Sequence, residues 1–265
     1  MLRAQHILLN WKENIMDFRK IYDRIPDKFD KWRPRYYDDL FVDMIEYSKL
    51  TSGKSVLEIG PGTGQATEPI LKTGCSYLAI ELGENLAEYT KNKFNSYSNF
   101  NIANADFEKY DFGENIFDLV YSAAAIQWIP EEIGFPKVYD ILKSDGSFAM
   151  MMTHTDEKSA NEDLYNQIQE VYKKHFVPEE KYTCRIDYNN VLNYGFTDFE
   201  RRTYKDTRIF TADEYVSYIG THCEHITLQE PYKIRFYDGI RNAVLSFGDK
   251  ITLLDDIILY MVRKI

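Results

Sequence analysis

The fold is decided by Val56-Leu57-Glu58-Ile59-Gly60-Pro61-Gly62-Thr63-Gly64-Gln65. Apolar residues lead into three glycines at alternate positions, and helical spacing resumes behind them. This reads as a buried strand over 54–59, a tight loop over 60–64 and a helix over 65–71. Glycines let the chain turn sharply and let a ligand approach without meeting a Cβ, while the free N–H groups of the following helix suit a negative group. Two phosphate motifs fail here. A GxGxxG dinucleotide fingerprint needs glycine at 65 or 67, where Gln65 and Thr67 stand, which disfavours a nicotinamide-dependent oxidoreductase. Gly53-Lys54-Ser55 precedes the strand and has Ser48 where a phosphate loop needs its first glycine. Glu58 adds a carboxylate near the loop, which repels a pyrophosphate and suits a cationic amino group.

Outward from that loop, strands and helices alternate. Further strands are expected over 77–82, 100–105, 117–122 and, after the Asp145-Gly146 turn, 147–153. Helices are expected over 38–49, 84–94 and 130–142. That order implies parallel pairing and a doubly wound sheet. Beyond it, Leu164, Ile168, Val171 and Tyr172 mark a helix over 161–176, and 196–208 is strand-like. Thr211-Ala212-Asp213-Glu214 has the form of a capping box and starts a helix reaching Ile219. Residues 256–263 suit a central strand that joins the core late, making the chain one folding unit. Residues 1–37 read as an amphipathic helix, with Trp11 among its aromatics, and then an extended segment broken at Pro26 and Pro34. The expected division is an N-terminal helical cap over 1–50, an α/β core over 51–153, and a C-terminal half over 154–265 with cap helices at about 209–250.

The 265 residues carry a formal charge of −10, with no local basic patch, so nucleic acid is not an expected partner. No stretch approaches the roughly 18 apolar residues of a membrane span. Arg3, His6, Asn10, Lys12 and Glu13 interrupt any signal-peptide core. Cys75, Cys184 and Cys223 are far apart, so a cytoplasmic, reducing setting is the expectation. Aromatics reach 15%, with 21 Tyr, which fits either a small-molecule pocket or a tyrosine-rich core.

Glu81 ends the second strand about 20 residues past the glycine loop, placed to accept both hydroxyls of a ribose; the alternative is a solvated acid at a helix start. Asn104-Ala105-Asp106-Phe107 offers an acceptor for an exocyclic amine beside an aromatic wall, or a simple turn. These blocks resemble the class I S-adenosylmethionine-dependent methyltransferases. The likeness covers residues 54–153 and continues through Asn115-Ile116-Phe117-Asp118-Leu119-Val120-Tyr121-Ser122 and Leu142-Lys143-Ser144-Asp145-Gly146-Ser147. It implies a Rossmann-like seven-stranded sheet with its last strand antiparallel, and S-adenosylmethionine as cofactor. It also implies that Glu58, Gly60, Gly62 and Gly64 cradle the methionine end, that Glu81 binds ribose, and that Asp106 and Phe107 meet the adenine. Leu82 and Ser122 complete the expected cofactor set.

A narrower likeness joins Lys31-Trp32-Arg33-Pro34-Arg35-Tyr36-Tyr37 and Ala123-Ala124-Ala125-Ile126-Gln127-Trp128 to small-molecule methyltransferases of the trans-aconitate and juvenile-hormone-acid type. Tyr37 stands where proline is usual and Gln127 where histidine is usual, so no acid/base role carries over. The resemblance implies methyl transfer to a small molecule, with a carboxylate or other oxygen as acceptor; the alternative is a non-catalytic regulatory scaffold. Trp32, Tyr36, Tyr37, Trp128, Tyr218 and His222 are the expected acceptor-side residues, within an aromatic group that adds Tyr215, Phe236 and Tyr237. Trp128 could equally be a core residue. Arg33, Arg35 and Arg235 are candidates for holding an anionic acceptor or are surface charges. His222 and His225 flank Cys223, but no second ligand pair accompanies them, so no metal is expected.

Overall fold

A computed structural model describes residues 18–179 and 186–265. The N-terminal helix expected before Phe18, with His6 and Trp11, lies outside the described residues, as does Cys184. Seven strands form one sheet: β1 (Ser55–Ile59), β2 (Ser76–Glu81), β3 (Phe100–Asn104), β4 (Phe117–Ala123), β5 (Leu142–Asp156), β6 (Thr197–Phe210) and β7 (Ile251–Arg263). Their order is β3-β2-β1-β4-β5-β7-β6. The first five pair in parallel, and β7 runs antiparallel between β5 and β6.

Both faces of the sheet are covered, which is why its central strands are buried on both sides and mostly apolar instead of alternating with exposed polar residues. Val56, Leu119 and Ala79 point into one layer with Leu40, Phe41 and Met44 of α2 (Asp38–Ser48) and Ile70 and Leu71 of α3 (Thr67–Leu71). Leu57, Val120 and Ile80 point into the other with Phe135, Val138 and Ile141 of α5 (Glu131–Ile141). Between them in sequence, α4 (Glu84–Lys93) follows β2. A third apolar cluster forms the cap, from α6 (Glu162–His175), α7 (Ala212–Ile219) and α9 (Tyr232–Ser246), with the short α8 (Cys223–Ile226) between the last two. The ends of these helices follow side-chain chemistry. Asn161 caps α6 by accepting the Leu164 N–H at 3.0 Å, and Thr211 and Glu214 form both halves of the capping box.

The segment before α2 is not extended as its prolines suggested. Phe18–Arg24 is a 3₁₀ helix and Pro26–Trp32 is α1, with Pro26 in its first turn, where the missing N–H costs nothing. Pro34 does act as expected, because Arg33 before it is extended at ψ 149. The order of strands reverses between β1 and β4, and in open α/β sheets that crevice, outside the carboxyl ends of the strands, is where ligands bind. The glycine loop leaves β1 there, and Ala124-Ala125 leaves β4 beside it.

Candidate active site

All three glycines of the loop have positive φ, at 66, 59 and 81. A Cβ on Gly60 would stand 2.5 Å from the Ala125 Cβ, and one on Gly64 would overlap the Phe94 ring. The loop is therefore glycine-rich for two reasons at once: its dihedrals, and the close approach of α4 and of the chain leaving β4.

Glu81 is buried at the end of β2. Its two carboxylate oxygens accept the N–H groups of Gly62, at 3.1 Å, and Gly83, at 2.9 Å. Burial, partly offset by those two N–H groups, pushes its pKa up to about 7. Glu58 is fully buried beneath the loop, where Oε2 accepts the hydroxyls of Thr67 at 2.6 Å and Tyr77 at 2.5 Å. Tyr77 in turn makes a very short contact with the Tyr121 hydroxyl. Burial also pushes Glu58 up to about 7, and its other oxygen, Oε1, has no hydrogen-bond partner.

Above the loop lies a cleft. Its walls include Gly60, Gly62, Glu81, Leu82, Asp106 and Phe107 of the expected cofactor set, and Tyr36 and Trp128 of the expected acceptor set. Three expected cofactor positions lie behind the wall: Glu58, Gly64, and Ser122, whose hydroxyl donates to the Ile59 carbonyl at 3.0 Å. Four expected acceptor residues lie off it. Tyr37 is exposed and turned to Asp206, which raises its phenol to about 12. Trp32 is half-buried under the Lys31 ammonium. Tyr218 stacks on Phe210 and accepts from Arg208 at 3.2 Å, within the cap. His222 packs against Tyr218 and His225, and burial, reinforced by the charge of Arg33, holds it neutral well below the usual imidazole range. Tyr215 and Phe236 are likewise cap core.

Sequence reasoning expected an N-terminal cap but assigned no site role to Arg19, Tyr22 or Phe29. Arg19 and Tyr22 from the 3₁₀ helix and Phe29 from α1 line the cleft, together with Arg33 and Pro34. No local motif announces Arg19 or Tyr22. Arg33 stands over the rings of Tyr22 and Phe29, at 5.9 and 5.6 Å, and makes no ion pair among the described residues. At the far end, Gln127 is pinned: its amide donates to the Ala124 carbonyl at 2.8 Å, and its oxygen accepts the Tyr188 hydroxyl at 3.3 Å.

The arrangement suits S-adenosylmethionine and disfavours a phosphate. The Gly62 N–H that a pyrophosphate would use is committed to Glu81, and both buried acids repel an anion. The Glu58 oxygen without a hydrogen-bond partner lies beneath the loop, and the cationic Arg33 stands in the opposite wall of the cleft.

Comparison with known proteins agrees. Residues 57–150 match the family model of a methyltransferase domain. The chain is 40% identical to the ribosomal RNA small subunit methyltransferase A of Hahella chejuensis over 77 residues, 29% of this chain and 28% of that protein. It is 31% identical to a sterol 24-C-methyltransferase of Saccharomyces cerevisiae over 125 residues, 45% of this chain and 33% of that protein. The chain thus spans about a third of the length of these curated relatives. The YcgJ protein of Bacillus subtilis shares the fold at a TM-score of 0.59 and 14% identity, over 86% of this chain and 99% of that one. So does phosphoethanolamine N-methyltransferase 2 of Haemonchus contortus, solved with S-adenosyl-L-methionine, at 0.56 and 16%, over 95% of this chain and 60% of that one. Residues 57–150 thus match a methyltransferase domain, and the strand order and glycine loop around them give the chain a Rossmann-like methyltransferase fold.

Proposed function

We propose that the protein transfers the methyl group of S-adenosylmethionine to a small molecule whose acceptor atom is an oxygen, most simply a carboxylate. The observation that carries this reading is the content of the cleft. Among its described lining residues the only carboxylates are Glu81 and Asp106, and no histidine is present. The amide of Gln127 is held at both its nitrogen and its oxygen, and an amide is no base. An acceptor that arrives already ionised needs no base.

In this reading Arg33 holds the cofactor's carboxylate, and Glu58 supplies negative potential for its amino group. Glu81 turns to the ribose, and Asp106 with Leu82 and Phe107 frames the adenine. The bound cofactor supplies a methyl group already activated on a sulfonium. The chain supplies alignment and dryness: Tyr36, Trp128 and Met152 wall the acceptor end and exclude water. Orientation alone reaches effective molarities of roughly 10⁵ M in well-aligned systems.

Sterol and phosphoethanolamine methyltransferases among the similar proteins favour a small acceptor. The ribosomal RNA methyltransferase relatives favour a second reading, with RNA as acceptor. The charge of −10 weighs against it, because an RNA backbone is repelled by such a surface. A non-catalytic scaffold would have no need of the buried Glu81 or the strained glycine loop. The free thiols Cys75 and Cys223 fit a reducing, cytoplasmic setting, and no described helix is long and apolar enough to cross a membrane. Incubation with methyl-labelled cofactor and a panel of carboxylic acids, against structured RNA, separates the readings. Label in base-labile esters supports the proposal; label in RNA alone overturns it.

A further inference from the structure

The roof of the cleft is fastened to its cofactor-side loops by a row of ionic contacts. Arg19 reaches Glu108 at 2.6 Å and Asp106 at 3.4 Å. Asp23 accepts the Leu86 N–H at 2.9 Å, and so caps α4 from outside that helix. Asp30 pairs with Lys93 at 2.7 Å, and the same ammonium donates to the Thr63 carbonyl of the glycine loop at 2.9 Å. Between these ties the contacts are apolar: Phe29 covers Gly62, and Tyr22 meets Trp128 edge-on at 6.0 Å between centroids. The polar ties land on the Asp106 turn, on α4 beside the cleft and, through Lys93, on the glycine loop. Because Arg19, Tyr22, Phe29 and Arg33 all wall the cleft, a nucleoside-sized ligand seated there touches the segment that carries them.

We propose that residues 18–33 form an electrostatically latched strap over the cofactor, and that Arg19, by gripping Asp106 and Glu108, is the positioning residue that couples adenine recognition to strap closure. The proposal rests on the cofactor reading above. The guanidinium holds both Asp106 oxygens, at 3.5 and 3.4 Å, and a carboxylate so held only accepts hydrogen bonds, so it would suit an exocyclic amine and not a carbonyl oxygen. A glycine-loop domain without such a strap would bind and release from an open cleft. Here release should be slow and should quicken with salt, since the side chains of Arg19, Asp106 and Glu108 all retain some exposure and are open to screening.

The test is stopped-flow displacement of S-adenosylhomocysteine from the full chain, read by tryptophan fluorescence, to which Trp128 in the cleft wall and Trp32 beside it contribute, at low and high salt. Arg19→Met should speed release about tenfold and reduce the salt dependence, as expected for the loss of a charge-assisted pair. It should also narrow the preference for S-adenosylhomocysteine over S-inosylhomocysteine, in which a carbonyl replaces the amine. Glu108→Gln, which leaves Asp106 and the strap's other ties intact, should move release the same way by a smaller factor, and it carries the test should Arg19→Met fail to fold. Release within about twofold of the parent in both variants, with the salt dependence and base preference retained, would overturn the latch while leaving the cofactor reading standing. If the parent protein binds no S-adenosylhomocysteine, the cofactor reading falls and takes the latch with it.

Discussion

The floor and the roof of the cleft are held by opposite means. Beneath the glycine loop, Glu58 sits wholly out of water and is tied to Thr67 and Tyr77, with Tyr121 beyond, through hydroxyls. Above it, the strap is tied by Arg19, Asp23, Asp30 and Lys93, side chains that keep some contact with solvent. Buried carboxylate–hydroxyl ties are shielded from salt and respond to protonation, whereas half-exposed ion pairs weaken as counterions accumulate. The floor is thus built to be a fixed cradle and the roof to open.

The sharpest way to break the floor is to add a Cβ. Gly64→Val combines a left-handed backbone with overlap against Phe94, and should destabilise the fold by about 3 kcal/mol or more, read by thermal denaturation. Protonation comes next. Glu58 and Glu81 both stand at about 7 in the fold against 4.5 for an ordinary glutamate, so the folded state holds its protons more tightly than the unfolded chain. Their contribution to stability is complete below about 4.5 and is lost as pH climbs to about 7, by up to about 3 kcal/mol per group in the ligand-free protein. Glu58→Gln should flatten that slope in denaturant titrations run across the same window. On the roof, Arg33→Met should weaken S-adenosylhomocysteine about tenfold while leaving an analogue without the carboxylate unaffected, as measured by calorimetry. The smallest effect belongs to the outer tie: Lys93→Ala should cost less than about 1 kcal/mol of stability, and that difference should vanish in high salt.

The same division governs what could be read from sequence. The floor is local in the chain: strand, alternating glycines and Glu58 fall within ten residues, and β1, the loop and Glu81 stand where periodicity and spacing place them. The roof depends on contacts such as Arg19 to Asp106, 87 positions apart, which no local pattern encodes. Pro26 misled for a related reason, since a proline reads as a break until the residues behind it are known to continue as a helix. The aromatic group expected around the acceptor divides in the structure. Tyr36 and Trp128 reach the cleft, while Tyr215, Tyr218 and Phe236 supply the cap with its core, because amphipathic helices must bury their rings against each other before any ligand is present.

The central claim is that this cleft binds S-adenosylmethionine through its glycine loop and Glu81. Its most direct test is a calorimetric titration of the folded protein with S-adenosylhomocysteine, alongside the Glu81→Ala variant. The account requires one site per chain with a micromolar dissociation constant, about −8 kcal/mol, and a loss of at least about tenfold in the variant. No heat from a parent protein whose circular dichroism shows it folded, or equal affinity in the two proteins, would contradict it.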